Sequence, residues 1–85
     1  MKIKVYVLRS IKDGARYVGI SQNLERRLQD HNSGKNRYTK GHMPWEIKYN
    51  EEYETWEEAR SREKYFKSGA GRIYLEKKLK NEYKC

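Results

Sequence analysis

The chain has 85 residues and a formal net charge of +8, which limits it to one small domain, expected over residues 1–85, and favours an anionic partner, nucleic acid first. A soluble basic protein without such a partner is the alternative. Its only cysteine, Cys85, excludes an internal disulfide, and the lack of a signal peptide or a long apolar run predicts a cytoplasmic protein that does not enter a membrane.

Residues 2–9 and 16–21 alternate apolar and polar side chains around a tight-turn signal, so they predict a β-hairpin. A register that pairs odd with even positions joins the aliphatic side chains into one face and puts Tyr6 and Tyr17 together on the other. Gly19 has no side chain and is expected to leave an open spot beside Tyr17. Either tyrosine alone is more often a packing residue, so both interpretations stay open here.

The segment SQNLERRLQDHNSG predicts a helix that begins at Ser21 or Asn23 and ends at Gly34. Arg27 and His31 are four residues apart and therefore lie close together on its surface. Most helix arginines project into water, and a histidine beside a leucine stripe is as often a core-edge residue as a catalytic one. Both residues are candidates because they accompany the tyrosine pair.

A basic loop is expected over residues 35–44, and its side chains are the predicted nucleic-acid contacts: Lys35, Arg37, Lys40 and His42. Residues 45–53 alternate again and predict a third strand. The residues that alternate with polar side chains there are Trp45, Ile47, Tyr49 and Tyr53.

A second helix is predicted after the capping box of Thr55 and Glu58. At 100° per residue, Glu63 falls on the only apolar stripe of this helix, which is formed by Trp56, Ala59 and Phe66. A core-facing carboxylate is costly unless it is paired or binds a metal. Glu63 is therefore either half of a partly buried ion pair with an arginine or a ligand of Mg²⁺, an ion that often uses only one or two protein carboxylates.

A third helix follows the break at SGAG. The predicted fold is a layered α+β domain in which helices flank a small three-stranded antiparallel sheet, in the order β-β-α-β-α-α. The acidic segment 50–66 lies between two basic segments. That distribution suits a metal-assisted phosphodiester enzyme, and it also suits a helix that simply solvates itself.

Taken together, these residues resemble the GIY-YIG nuclease domain family. Lys4-Val5-Tyr6 stands at the first family motif and Tyr17-Val18-Gly19 at the second. Arg27 and His31 stand at the family arginine and at a position that the family fills with His or Tyr. Glu63 stands at the metal-ligand position. The likeness covers about residues 3–67 and is strongest to small stand-alone bacterial members, which resemble the N-terminal domain of excinuclease C.

The chain departs from the family pattern at three places. Lys4 replaces the glycine of the first motif, and Ile20 stands where some members have a lysine that could help to ionise the tyrosine. Some members also have an asparagine about a dozen residues after the glutamate, and Asn81 lies too far along to match it. A separate DNA-targeting domain, which larger relatives carry, is not expected here.

The resemblance implies an endonuclease that hydrolyses DNA with Mg²⁺, or with Mn²⁺ as an alternative ion, on Glu63. It implies that Arg27 binds the phosphate, that Tyr17 or Tyr6 acts as general base, and that His31 assists a tyrosine. A partner protein or a homodimer could supply targeting, and DNA repair, mobile-element and defence roles are all open. The alternatives are a non-catalytic nucleic-acid-binding module with the same fold and a basic protein-interaction domain.

Overall fold

The computed structural model describes the backbone of residues 2–83 and the side chains of residues 2–79, so Cys85 lies outside the described residues. The elements, in chain order, are β1 Ile3–Ser10, β2 Arg16–Ser21, α1 Leu24–Asn32, α2 Arg37–Lys40, β3 Trp45–Tyr53, α3 Trp56–Lys67 and α4 Gly69–Tyr83. The strands form one antiparallel sheet in the order β2-β1-β3. This confirms the α+β class and the predicted order, with the one-turn helix α2 added inside the expected loop.

The hairpin has the predicted register. Val5 pairs with Ile20 and Val7 with Val18, while Tyr6 lies opposite Gly19 on the other face. The ring of Tyr6 lies 6.3 Å from the ring of Tyr17, centroid to centroid. The two tyrosines therefore share a face because the odd–even pairing sends the β-branched residues of the hairpin to the opposite side, namely Ile3, Val5, Val7, Val18 and Ile20.

Strand β3 forms where the sequence predicts it, but its alternating apolar side chains do not share one face. Val7 pairs with Tyr49 but the next residue, Leu8, pairs with Ile47, so Lys48 is an extra residue in the ladder. Such a bulge reverses which side of the sheet the following residues face. As a result, the first half of β3 packs on the tyrosine face and the second half on the opposite face.

Two small cores follow from this arrangement, one on each face of the sheet. Helix α1 covers the tyrosine-face core, whose buried members are Tyr6, Leu8, Leu24 and Trp45. Helices α3 and α4 cover the opposite core, whose buried members are Ile3, Val5, Val7, Val18, Ala59, Phe66, Leu75 and Leu79. Burial of this apolar surface is the main favourable term in the stability of the fold.

Helix α3 begins at the predicted cap, where the Thr55 side chain accepts a hydrogen bond from the Glu58 amide. Ala59 and Phe66 are buried as expected. Trp56 is 40% exposed, so it does not belong to the core stripe. The apolar stripe of α3 is therefore shorter than predicted.

An ion pair between Arg62 of α3 and Glu51 of β3 fixes the helix to the sheet. The guanidinium donates to both carboxylate oxygens, at 2.8 and 3.2 Å, and Tyr53 donates to the same carboxylate at 2.6 Å. Helix α4 approaches α3 so closely at Gly71 that a Cβ there would overlap the Tyr65 carbonyl. Among residues 2–83, no helix has both the length and the apolar character that crossing a bilayer requires.

Candidate active site

A buried hydrogen-bonded chain links β1, α1 and α2 on the tyrosine face. The Tyr6 hydroxyl lies 3.1 Å from His31 Nε2, and His31 Nδ1 lies 3.0 Å from Thr39 Oγ1. Tyr6, His31 and Thr39 are all buried. Groups buried in this way must satisfy one another, because no water can take their place.

The hydrogen bonds that link Tyr6, His31 and Thr39 have assigned donors and acceptors. Thr39 Oγ1 donates its proton to the Asn36 carbonyl, so it accepts from His31 Nδ1–H. His31 Nε2 then has no proton and accepts from the Tyr6 hydroxyl. Burial lowers the pKa of His31, and the nearby Arg27 charge lowers it further, which favours this neutral imidazole.

Local capping and a tryptophan hold this chain in place. Asn23 caps α1, and Asn36 caps α2 by accepting from the amides of Tyr38 and Thr39. Trp45 Nε1 donates to the Thr39 carbonyl at 2.9 Å. The one-turn helix α2 therefore delivers the Thr39 hydroxyl to His31 at a fixed position.

Gly19 does not leave an open spot on this face, which corrects the expectation from the sequence. A Cβ at Gly19 would lie 2.5 Å from the Tyr6 hydroxyl oxygen, 2.6 Å from its Cζ and 3.1 Å from Cε1 of Tyr17. The Tyr6 ring occupies the space that the glycine leaves. Glycine is required here because it lets the Tyr6 side chain cross β2 and reach His31.

Tyr17 has a different environment from Tyr6. It is partly exposed, its ring lies 4.6 Å from the His31 ring, and the 54% exposed Tyr38 stacks on it at 6.3 Å. Tyr6 is only 1% exposed, and burial raises its pKa although Arg27 partly opposes this effect. Of the two hydroxyls, that of Tyr17 is the one that solvent and a ligand can reach.

Arg27 joins the tyrosine face from α1. Its interaction with the Tyr6 hydroxyl raises the pKa of Arg27, and its Nη1 lies 3.6 Å from Asp30 Oδ2. A hollow of about 180 Å³ lies beside it, between α1 and the start of α2, and is lined by Arg27, Asp30, His31, Lys35 and Asn36. The guanidinium therefore stays close to both tyrosine hydroxyls while part of it faces solvent.

Glu63 approaches the site from the other side of the sheet, on α3. Its side chain is 23% exposed, and its carboxylate pairs with Lys67 Nζ at 3.1 Å. Its negative charge contributes to the raised pKa of Tyr6. The arginine ion pair that was the alternative for Glu63 belongs instead to Glu51, so no arginine occupies the Glu63 carboxylate among the described residues.

The donor set at Glu63 fits an ion that keeps most of its water. Within residues 2–79, no group of three or more His, Cys, Asp or Glu side chains gathers into a metal site. Mg²⁺ is commonly held by one or two carboxylates and retains several waters. A half-buried carboxylate whose partner is an exposed lysine is compatible with such an ion, since the lysine can move away.

The four predicted nucleic-acid contacts lie in different settings. Lys35, Arg37 and Lys40 are exposed around α2, and Lys35 pairs with Asp30 at 3.5 Å. His42 pairs instead with Asp13 at 2.5 Å, and its ring lies against Trp45. The Ala15 amide and His42 lower the pKa of Asp13 to about 2. His42 therefore ties the α2 loop to the hairpin turn.

Comparison with known proteins decides the family. The GIY-YIG catalytic domain matches residues 2–85. The chain belongs to the GIY-YIG family. Relatives of this GIY-YIG domain include UPF0213 proteins of Bacillus licheniformis, 40% identical over 92% of this chain and 74% of theirs, and of Clostridium perfringens, 44% identical over 74% and 68%. The solution NMR structure of a UPF0213 protein from Bacillus halodurans is 33% identical, covers 88% of this chain and 82% of its own, and has a TM-score of 0.53.

Two parts of the site were missed in the sequence. Thr39 was passed over within a segment predicted as a basic loop, although its place after Asn36 in a capping pattern was the available signal. The basic side chains Arg16, Lys67 and Arg72 were not singled out either. Arg16 directly precedes Tyr17, whereas Lys67 and Arg72 lie far along the chain, and only the fold brings them to the same cleft.

Proposed function

We propose that this GIY-YIG domain is a metal-dependent endonuclease that nicks one strand of DNA in the cytoplasm, with low or structure-based specificity, and that residues 1–85 act as a single nuclease domain. The observation that supports it is the convergence of Tyr6, Tyr17, Arg27 and His31 on one sheet face. Nuclease activity is what the family suggests. One small site cuts one strand at a time, so double-strand cleavage takes two protomers or two events.

The proposed roles follow from the surroundings of each side chain. Tyr17 acts in its phenolate form as the base that accepts a proton from the attacking water, because Tyr17 is partly exposed whereas Tyr6 is buried and its pKa is raised. Tyr6 donates to His31 and interacts with Arg27, so it positions both side chains beside Tyr17. Arg27 forms a forked pair of hydrogen bonds with the nonbridging phosphate oxygens, a geometry that lysine cannot reproduce.

Glu63 would hold the divalent ion, with Mg²⁺ expected and Mn²⁺ as an alternative. When bound, such an ion supplies Lewis-acid stabilisation of negative charge at a phosphate oxygen. The protein itself supplies positioning and fixed positive charge, which account for most of the rate in phosphoryl transfer. The attacking water forms a new P–O bond as the bond to the leaving oxygen breaks. The proton of the water passes to the phenolate form of Tyr17, and the leaving oxygen takes a proton from solvent.

The test is nicking of supercoiled plasmid with Mg²⁺ or with EDTA. Glu63→Gln is expected to reduce the rate at least about 100-fold. The matched control is Glu57→Gln, which makes the same change at an exposed position of the same helix and is expected to cut like the parent chain. Binding without cleavage in any divalent metal would favour the non-catalytic nucleic-acid-binding module. Cleavage that persists in EDTA would refute the metal dependence.

A further inference from the structure

A second cavity opens at the free edge of the sheet, on the other side of Tyr17 from α1. It has a volume of about 520 Å³ and lies between β2 and the helices α3 and α4. We call it the edge cleft. Its polar lining is Arg16, Tyr17, Tyr38, Lys67, Arg72 and Glu76.

The edge cleft carries a surplus of positive charge. Arg16, Lys67 and Arg72 line it, against the single carboxylate of Glu76. Within the part of the chain whose side chains are described, neither Arg16 nor Arg72 forms an ion pair, and Lys67 pairs only with Glu63. Cations that the fold leaves without counterions are available to an anionic ligand, and a cleft lined by them concentrates its potential.

The edge cleft is continuous with the tyrosine face. Tyr17 lines the cleft and contacts His31, and Tyr38 lines it while stacking on Tyr17. Lys67 lines it and pairs with the proposed metal ligand Glu63. A cation on Glu63 would neutralise the carboxylate and release Lys67 into the cleft, so the cleft would gain positive charge when the metal binds.

We propose that the edge cleft binds the DNA backbone immediately beside the scissile phosphate, with Arg16, Arg72 and the released Lys67 each contacting a phosphate. This inference rests on the proposed function and deepens it, since it assigns a second phosphate-binding surface in addition to Lys35, Arg37 and Lys40. The strand then passes across Tyr17 between the two basic surfaces. Glu76 opposes binding because its carboxylate faces the same phosphates.

Binding is measured by fluorescence anisotropy of a fluorescein-labelled DNA duplex as a function of salt, with every variant made in the Glu63→Gln background so that no cleavage occurs. Arg16→Gln and Arg72→Gln are each expected to weaken binding about five- to tenfold at low salt and to reduce the salt slope by about 0.9, the value for one lost phosphate contact. Lys64→Gln and Lys77→Gln are the controls, because these exposed lysines lose the same charge outside the cleft. Equal effects in the cleft and control variants would overturn the proposal.

A gain of affinity gives the sharper test, because a misfolded protein cannot produce it. Glu76→Gln is expected to tighten binding by severalfold, whereas Glu57→Gln, with the same change in net charge, should alter it little. Equal tightening in both would show a general charge effect and refute the cleft. If the parent chain cuts DNA but the cleft variants bind like their controls, this inference fails alone. If the cleft variants behave as expected but no metal supports cleavage, the proposed function fails and the binding surface stands.

Discussion

Replacing Gly19 by alanine tests the central packing arrangement of the site without any assumption about activity. The added Cβ would lie 2.5 Å from the Tyr6 hydroxyl oxygen and 2.6 Å from Cζ, distances that no relaxed structure tolerates. The Tyr6 ring is 1% exposed and cannot swing into solvent without leaving the core. The ring or strand β2 must therefore shift, and the hydrogen bond to His31 is lost.

The expected cost is about 2–3 kcal/mol in the free energy of unfolding. Overpacking a core costs about 1–3 kcal/mol, and a lost hydrogen bond adds about 1 kcal/mol. The smaller conformational entropy of the unfolded alanine chain offsets about 0.5–1 kcal/mol. For a domain of this size, such a change lowers Tm by roughly 10–20 °C.

Thermal and urea unfolding followed by circular dichroism measure this change. Gly41→Ala is the control, because a Cβ at Gly41 meets nothing within 4 Å and its backbone is in the right-handed helical region. A double-mutant cycle adds Tyr6→Leu, which removes the ring tip that the new methyl group would strike. Gly19→Ala should cost much less in that background. Equal costs in both backgrounds, or a Gly19→Ala protein as stable as Gly41→Ala, would show that Tyr6 does not cross β2 here.

Three further predictions concern the groups around the site. Thr39→Val should cost about 1–3 kcal/mol, because it leaves the buried Nδ1–H of His31 without an acceptor. Thr39→Ser should recover most of that stability in urea unfolding, and equal losses would contradict the hydrogen bond between Thr39 and His31. Burial lowers the pKa of His31 from its model-compound value of 6.5, so the unfolded chain binds the proton more readily. The contribution of neutral His31 to the free energy of unfolding should therefore be fully present above about pH 6.5 and be lost as the pH drops through the folded pKa of His31. The free energy of unfolding of His31→Gln, measured from neutral to acidic pH, should lack this pH-dependent loss. The same pH dependence in His31→Gln and the parent chain would refute the assignment to His31. Arg62→Met should cost about 1–3 kcal/mol, because it leaves the partly buried Glu51 without its cation, whereas Lys64→Met should melt like the parent chain.

Local signals explain which elements could be predicted. The hairpin followed from alternation plus one turn, and helices α1 and α3 from caps that the structure confirms at Asn23 and Thr55. The bulge at Lys48 could not be predicted, because WEIKY alternates without interruption around Lys48 and only pairing with β1 introduces the extra residue. Helix α2 is a single turn, too short for any periodicity to appear.

The candidate site could be predicted only in part, because several of its features depend on contacts between elements rather than on local sequence. The shared face of Tyr6 and Tyr17 depends on hairpin register, which the aliphatic pattern determines. The role of Gly19 depends on where the Tyr6 side chain points. The sequence is the same whether the space over the glycine is empty or is filled by the Tyr6 ring. The pairing of Arg62 with Glu51 could not be predicted, because the two residues belong to separate elements and only the packing of α3 on the second half of β3 brings them together.

Two adjacent residues of α3, Arg62 and Glu63, face different sides of the helix and have different partners. Arg62 lies over β3, where it stacks on the rings of Tyr65 and Phe66 and binds Glu51. The next residue, Glu63, is rotated by about 100°, toward the side where Lys67 lines the edge cleft beside β2. The Glu51–Arg62 pair fixes the rotation of α3, so the Glu63 carboxylate has a defined position although its only described ionic partner is an exposed lysine. A carboxylate that is held by the backbone and left weakly paired is what a water-rich divalent ion requires, and the bulge in β3 is the feature that makes both conditions compatible.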